Sequence, residues 1–184
     1  TDAYWDIPWD KPVERIFNGK LVQGRPTKGY GTQIFEYAGK TYTPEPWTTQ
    51  VESIKKQAEE LVLKELGKKL EFSFCLCGYY GTDGKGIPHH SDTVPTLEDI
   101  VVSISFGAPR LFVQRTYQKN IKNNTNTSLV IIDKENKVIE EERYVLENGD
   151  VLLFDGHNQM NSTHAVLDAI GAKERINLTF RSGI

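Results

Sequence analysis

The chain has 184 residues, 38% of them hydrophobic and 26% charged, with a formal net charge of -3 and a sequence pI of about 5.8. This length and hydrophobic content suit one globular domain with a full core. No apolar run approaches the roughly 20 residues that span a bilayer, and the first residues lack the basic and apolar regions of a signal peptide. We expect an intracellular protein, cytoplasmic or nuclear, with no membrane contact and a monomeric state.

The net charge disfavours a broad, charge-driven coating of nucleic acid. It leaves room for local basic strips, with ordinary solvated surface charge as the alternative for each. The candidate strips are Lys20, Arg25 and Lys28 in the first quarter of the chain, and Arg115, Lys119 and Lys122 later.

Two cysteines, Cys75 and Cys77, are separated by one residue. On one strand their side chains point to the same face, where residues two apart are poorly placed to form a disulfide. No second cysteine or histidine pair accompanies them to complete a metal site. We interpret them as small core-facing residues in a reducing compartment.

Residues 1–46 carry many aromatic side chains and prolines with weak periodicity, and several tyrosines are interleaved with Gly29, Gly31 and Gly39. Short strands and loops are expected here. We predict that residues 1–46 form a cover over a core of residues 47–184, within one structural domain.

One clear helix is predicted next. Thr49 and Glu52 form a capping box, and Gly67 is a natural C-terminal stop. Between them, apolar side chains recur at helical spacing: Val51, Ile54, Ala58, Leu61 and Val62. The helix most simply packs on a sheet as a buttress.

The pattern after the helix is typical of short β-strands separated by turns. The predicted strands cover residues 72–79, 100–106, 110–114, 128–133, 138–146, 150–154, 164–166 and 176–180. The polar segment 120–128 is predicted to be a loop. Many short strands with one early helix favour a mainly β fold with a flanking helix, either a β-sandwich or a jelly roll.

Three residues carry the pattern of a metal centre: His90, Asp92 and His164. His90 and Asp92 project to the same side of an extended segment, and His164 begins a later strand. Two imidazoles and one carboxylate make the facial triad that leaves three positions of Fe(II) open. A tetrahedral zinc site is the rival, with His89 or His157 as a further ligand, although His89 points away from His90 on an extended chain.

Polar and apolar side chains alternate along the last predicted strand. One face carries Arg175, Asn177, Thr179 and Arg181, and the other carries Ile176, Leu178 and Phe180. An arginine face inside a barrel is costly unless it binds an anion, so these arginines could hold a dicarboxylate on the iron. The alternative is an exposed edge strand with solvated arginines.

These segments resemble the AlkB family of Fe(II)/2-oxoglutarate dioxygenases. The motif His90-Ser91-Asp92, followed at a distance by His164, is shared by many such oxygenases. The C-terminal segment from Arg175 to Arg181 is more specific to AlkB-like proteins. The likeness also covers residues 103–107 and 146–154. From Arg25 to Trp47, the spacing of Tyr30, Tyr37 and Pro46-Trp47 is similar to the family's nucleotide-recognition lid.

The resemblance implies a double-stranded β-helix (jelly roll) core under an N-terminal lid. It also implies Fe(II) as cofactor, with 2-oxoglutarate and O2 as co-substrates. His90, Asp92 and His164 would bind the iron.

The resemblance also implies that Arg175 would form an ion pair with the distal carboxylate of 2-oxoglutarate, and that Asn177 and Tyr80 would add hydrogen bonds. Arg181 would lie near the iron-proximal carboxylate and Asp92.

The resemblance further implies a nucleic-acid partner, methylated DNA or RNA, and oxidative removal of N-methyl groups from its bases with release of formaldehyde, succinate and CO2. Tyr30, Tyr37 and Val94 would line the substrate pocket, with a flipped base between Tyr30 and the ring of His90. Plain aromatic packing is the alternative for both tyrosines.

Two departures from the family pattern stand out. Repair enzymes of the family often carry an acidic residue shortly after the His-x-Asp motif to meet a cationic base. Here Thr93-Val94-Pro95 follows, so that acid is missing or supplied by Glu98 or Asp99. The second departure is Gly78, where the family often has asparagine.

The first departure leaves other substrates open, namely a base hydroxylated as a programmed modification, a protein side chain or a small molecule. A jelly roll that binds metal without turnover is the alternative from a different class. The two arginines disfavour this alternative, because a protein that only binds metal does not need residues that hold a keto acid.

Overall fold

The structure is a computed structural model that describes residues 6–10, 14–17, 20–23, 25–37, 40–90, 100–123, 130–155 and 161–182. The helix is α1 (Thr49–Leu66). The strands are β1 (Glu14–Phe17), β2 (Lys20–Gln23), β3 (Thr27–Gly31), β4 (Phe35–Tyr37), β5 (Lys40–Tyr42), β6 (Phe74–Tyr80), β7 (Ile87–His90), β8 (Ile100–Gly107), β9 (Arg110–Tyr117), β10 (Lys122–Asn123), β11 (Val130–Ile131), β12 (Val138–Leu146), β13 (Val151–Asp155), β14 (Ser162–Val166) and β15 (Arg175–Arg181).

Two antiparallel sheets make the body of the molecule. The larger has five strands in the order β13-β8-β15-β6-β3, and the smaller has four in the order β12-β9-β14-β7. A buried cluster formed by Tyr80, Phe112, Leu146 and Val166 joins the two sheets. This two-sheet arrangement confirms the mainly β, jelly-roll prediction, and the space between the sheets is the interior of the jelly roll.

The strand β15 lies in the middle of the larger sheet, because it pairs with β6 on one side and with β8 on the other. Its two faces differ as the alternation predicted. Ile176, Leu178 and Phe180 are fully buried in the core cluster that includes α1, so the arginine face points into the interior of the jelly roll. The alternative of an exposed edge strand is wrong.

The helix α1 covers the outer face of the larger sheet, as predicted. Its buried side chains include Val51, Ile54, Ala58 and Val62, and they share the main core with the outward-facing residues of β15 and β6. This apolar stripe recurs every three or four residues, and its packing against the sheet contributes most of the stability of the helix.

The ends of α1 are capped, with one difference from the prediction. Thr48 rather than Thr49 is the N-cap, and its hydroxyl accepts a hydrogen bond from the backbone N–H of Val51 at 3.3 Å. Gly67 ends the helix in the left-handed conformation, with φ of 64°, which glycine adopts without strain. The sequence offered two adjacent threonines, and only the backbone geometry distinguishes them.

Part of the predicted cover belongs to the larger sheet. Although β3 lies within residues 1–46, it is an edge strand of that sheet and pairs with β6. The strands β1 with β2 and β4 with β5 form separate antiparallel pairs. The division into a lid and a core remains a prediction.

Two strand boundaries differ from the prediction. Of the predicted strand at 128–133, the structure describes residues 130–133, and only β11 among them is a strand. This strand pairs with β10 inside the predicted loop. The strand β14 begins two residues before His164, because Ser162 and Thr163 also pair with β9.

Candidate active site

Two of the predicted metal ligands meet inside the smaller sheet. His164 on β14 pairs directly with His90 on β7, and directly paired residues point to the same face. Their rings are edge to face with centroids 4.2 Å apart, and the residues are 8% and 5% exposed. Phe112 and Phe154 stack on the ring of His164, at 5.6 and 5.3 Å, and hold it in place.

The hydrogen bonding of His90 suits a metal ligand. Its Nδ1 lies 2.9 Å from the carbonyl oxygen of Pro88, and a carbonyl can only accept, so Nδ1 carries the proton of the neutral ring. The lone pair then resides on Nε2, and the backbone carbonyl orients the ring as outer partners of ligating histidines do.

Asp92, the predicted third ligand, lies outside the described residues, as do His157, Val94, Glu98 and Asp99. Within the described ranges, no group of three or more His, Cys, Asp or Glu side chains is arranged to hold a metal. Two imidazoles in one buried position nevertheless fit the donor set of the predicted iron site. The complete triad stays a prediction.

His89 faces the opposite side of the sheet from His90. Its Nδ1 lies 3.1 Å from the hydroxyl of Thr163, the neighbour of His164 that points away from the interior. Burial, reinforced by the positive charge of Arg115, lowers the pKa of His89 to about 4. His89 is therefore a neutral, hydrogen-bonded residue of the outer face, separate from the His90–His164 pair.

The arginines of β15 are buried on the interior face. Arg175 is 0% exposed and Arg181 is 2% exposed. The Arg175 Nη2 donates to the hydroxyl of Ser105 at 2.7 Å, while its Nε and Nη1 have no hydrogen-bond partner among the described residues. Burial lowers the pKa of the Arg175 guanidinium, against the opposing effect of Tyr80. A buried cation with two unused donors is costly unless an anion meets it.

The other predicted co-substrate residues surround Arg175. The ring centroid of Tyr80 lies 4.6 Å from the Arg175 Cζ. Asn177 donates to the hydroxyl of Ser103 at 3.0 Å, on the same face of the sheet two residues along. The structure therefore brings Arg175, Asn177 and Tyr80 together in one interior region.

The two tyrosines predicted to bind substrate have different positions. Tyr30 is 3% exposed and belongs to the core under α1, because it pairs with Cys75 on the outer face of the sheet. The structure does not place Tyr30 beside His90, and the packing alternative holds for it. Tyr37 lies on β4, and its side chain is outside the described part of the structure.

Two arginines near the site were not recognised from the sequence. Arg110 is 2% exposed, with its Cζ 5.6 Å from the ring centroid of Tyr80. Arg25, a member of a candidate basic strip in the sequence, lies with its Cζ 4.3 Å from the same centroid. Alternation in the predicted strand puts Arg110 on the same face as Phe112, and this was the signal for burial. No comparable signal exists for Arg25.

An acidic recess adjoins the histidine pair. A cavity of about 290 Å3 is lined by Gln114, Thr116, Glu140, Glu142 and Asn161. Gln114 pairs with His164 on one side and with Glu142 on the other, so this lining shares the interior face of the sheet with His164.

The structure agrees with the interpretation of the two cysteines as small residues of the core. Cys75 and Cys77 are free and buried, with their sulfurs 3.9 Å apart, on the face of β6 that packs against α1. Burial and the neighbouring Cys77 raise the pKa of the Cys75 thiol well above its usual value, which makes Cys75 an inert thiol rather than a metal ligand.

The family follows from one comparison. The family model described as the 2OG-Fe(II) oxygenase superfamily matches residues 20–181, a span that contains the histidine pair, Asp92 and the whole arginine face. The chain belongs to this superfamily. Within it the chain is AlkB-like, since a protein of Bos taurus named "Alpha-ketoglutarate-dependent dioxygenase alkB homolog 3" is 29% identical over 96% of this chain.

Other relatives give the same result. The alkB homolog 3 protein of Rattus norvegicus is 28% identical over 96% of this chain and 56% of its own length. A protein of Arabidopsis thaliana named "DNA oxidative demethylase ALKBH2" is 27% identical over 95% of this chain and 58% of its own length. This oxygenase chain spans 58% of the Bos taurus relative as well. No helix among the described residues is long and apolar enough to cross a membrane.

Proposed function

We propose that this oxygenase removes N-methyl groups oxidatively from nucleic-acid bases, in DNA or RNA, using 2-oxoglutarate and O2. The observation that carries the proposal is the content of one buried interior. It holds two paired imidazoles, and a buried guanidinium whose Nε and Nη1 have no partner among the described residues. The nucleic-acid substrate is supported by relatives whose names describe an alkB homolog and a DNA oxidative demethylase.

In this proposal His90, His164 and Asp92 hold Fe(II). The bound iron, with the keto acid and O2, supplies the oxidising power to hydroxylate a C–H bond of the substrate. The ring of the buried Phe112 and the ring of the partly buried Phe154 pack against His164, where they shield one side of the site from water and fix the ligand geometry.

The arginine face binds and orients the keto acid. Arg175 offers Nε and Nη1 to the distal carboxylate, because both point into the buried interior with no protein partner among the described residues. Asn177 and Tyr80 lie on the same face and supply further hydrogen bonds. Arg181 lies six residues along β15, at the opposite end of that face, and is assigned to the iron-proximal carboxylate and Asp92.

The substrate chemistry needs little from the protein once the methyl group is hydroxylated. An N-hydroxymethyl group collapses by itself, and the products are formaldehyde and the unmodified base. The protein must extrude the base from its stack and hold the methyl group near the iron. We assign this work to Tyr37 and Val94. The free cysteines support the inference of an intracellular enzyme, cytoplasmic or nuclear.

The test is a panel of methylated single-stranded and double-stranded oligonucleotides incubated with the iron-loaded protein and 2-oxoglutarate. We expect formaldehyde release and, by mass spectrometry, the loss of one methyl group from a subset of the panel. Failure of the whole panel while another substrate class drives succinate formation would refute the nucleic-acid assignment.

A second substrate class is favoured by one specific feature. The neutral run Thr93-Val94-Pro95 follows Asp92, where repair enzymes of the family often place an acid for a cationic base. A less cationic substrate, such as a neutral modified base, a protein side chain or a small molecule, fits this run. The panel should therefore include neutral methylated bases beside 1-methyladenine and 3-methylcytosine.

A further inference from the structure

We propose that Arg110 is a second cationic anchor for the distal carboxylate of the keto acid, a positioning residue that acts together with Arg175. The inference rests on the proposed co-substrate site and adds a residue from the other sheet to it. Arg110 is on β9, and Arg175 is on β15.

The first argument is the state of the Arg110 guanidinium. Arg110 is 2% exposed, and its Nη2 donates to the carbonyl oxygens of Gly84 and Leu167, at 3.2 and 2.8 Å. Its Nε and Nη1 have no hydrogen-bond partner among the described residues. Protein carbonyls therefore bind only Nη2, and the Nε and Nη1 groups of the charged guanidinium are left to donate to a ligand.

The second argument is the position of Arg110 relative to Arg175. Both guanidiniums approach the ring of Tyr80, with their Cζ atoms 5.6 and 4.6 Å from its centroid. Their charges interact, since Arg110 is one of the causes that lower the pKa of Arg175. Arg25 approaches the same ring at 4.3 Å and lowers that pKa as well.

The third argument is charge balance. Each nitrogen of Arg110 and Arg175 either bonds to a neutral oxygen or has no partner among the described residues. Two buried cations around one aromatic ring repel each other, and the ring compensates only part of their lost hydration. A ligand carboxylate at this position would meet both cations and use their remaining donors.

One consequence is a strong selectivity for dicarboxylates. Arg175 alone contributes one charge to the recognition of the distal carboxylate, while Arg110 adds a second from the opposite wall of the jelly roll. A hydrogen bond to a charged group changes affinity by roughly tenfold to a hundredfold. Loss of Arg110 should therefore weaken 2-oxoglutarate binding by that factor and barely affect a keto acid without the distal carboxylate.

The experiment measures the binding of two ligands to the Mn(II)-loaded protein without O2, by calorimetry. The ligands are 2-oxoglutarate and 2-oxopentanoate, in which a methyl group replaces the distal carboxylate. The variants are Arg110→Gln, which keeps a donor for the two carbonyls but removes the charge, and Arg110→Lys, which keeps the charge. We expect Arg110→Gln to lose about tenfold or more in affinity for 2-oxoglutarate alone, and Arg110→Lys to lose less.

A purely structural Arg110 gives another result. If it only ties the Gly84 carbonyl to the Leu167 carbonyl, its variants lose affinity for both ligands equally, or lose thermal stability with the dicarboxylate preference intact. Either outcome would overturn the inference.

A second measurement does not depend on the folding of the Arg110 variants. Arg175→Gln retains Arg110, and we expect it to keep a residual preference of about tenfold for 2-oxoglutarate over 2-oxopentanoate. Complete loss of the preference in Arg175→Gln contradicts a role for Arg110. Absence of any preference in the wild-type protein contradicts the proposed co-substrate site itself, so the two failures are distinguishable.

Discussion

At the scale of single residues, the side chains of this interior differ from their neighbours on the same strand in what they face. Arg175 is fully buried, and its Nε and Nη1 have no hydrogen-bond partner among the described residues, whereas Ile176 beside it points to the core under α1. His90 faces His164, whereas His89 faces Thr163. On both strands, the side chain of one residue points into the interior of the jelly roll and the side chain of the next residue points to the outer face.

The first residue-scale prediction concerns Arg175. Replacement by Gln should raise the 2-oxoglutarate concentration for half-maximal succinate formation by about tenfold to a hundredfold, because one charged carboxylate contact is lost. Binding of Fe(II) should change little, because Arg175 is not among the predicted ligands. Parallel titrations of metal and keto acid test this, and equal losses of both would refute the assigned role.

The second residue-scale prediction compares adjacent histidines. His90→Ala should lower metal affinity by more than about a hundredfold and abolish succinate formation, since a direct ligand matters at least as much as an outer partner. His89→Ala is the matched control and should retain metal and turnover, because His89 lies on the other face. Metal content measured after dialysis, together with succinate formation, tests both. Similar losses in the two variants contradict the assignment of His90.

At the scale of elements, the sequence predicted the order and the faces of the strands better than their ends. Alternation assigned the buried arginine face of β15, and helical spacing assigned the stripe of α1. It did not distinguish Thr48 from Thr49, because capping depends on a backbone conformation that either residue can adopt. It also misassigned Tyr30, because an aromatic side chain suits a core and a nucleotide pocket equally well.

The capping difference gives an element-scale prediction. Thr48→Ala should lower the free energy of unfolding by about 1 kcal/mol, because the N–H of Val51 loses its acceptor. Thr49→Ala should be close to neutral, since Thr49 is an exposed residue of the first turn. Urea unfolding followed by circular dichroism measures both. A larger effect at Thr49 would restore the capping box predicted from the sequence.

At the scale of the whole molecule, the proposed site takes residues from both sheets, and neither sheet contains all of them. The smaller sheet supplies His90, His164 and Arg110, and the larger sheet supplies Arg175 and Asn177. Spacing and family likeness predicted four of these residues from the sequence, namely His90, His164, Arg175 and Asn177. The sequence could not predict that Arg110 and Arg175 approach the same ring, because that depends on how the two sheets pack.

A whole-molecule prediction follows from the buried arginines of this interior. With metal bound and O2 absent, 2-oxoglutarate at a hundred times its dissociation constant should stabilise the fold by about 2.7 kcal/mol. This corresponds to a rise in melting temperature of roughly 5–10 °C for a chain of this size. Arg175→Gln at the same ligand concentration is the control and should show a much smaller rise. An equal rise in both proteins would place the keto acid elsewhere.

The most direct test of the central claim is mass spectrometry of methylated oligonucleotides after incubation with the iron-loaded protein and 2-oxoglutarate. The account predicts the loss of one methyl group from a subset of the strands, with equimolar formaldehyde and with no loss in His90→Ala. It is contradicted if every methylated strand remains unchanged while the same preparation couples 2-oxoglutarate turnover to a protein or a small molecule.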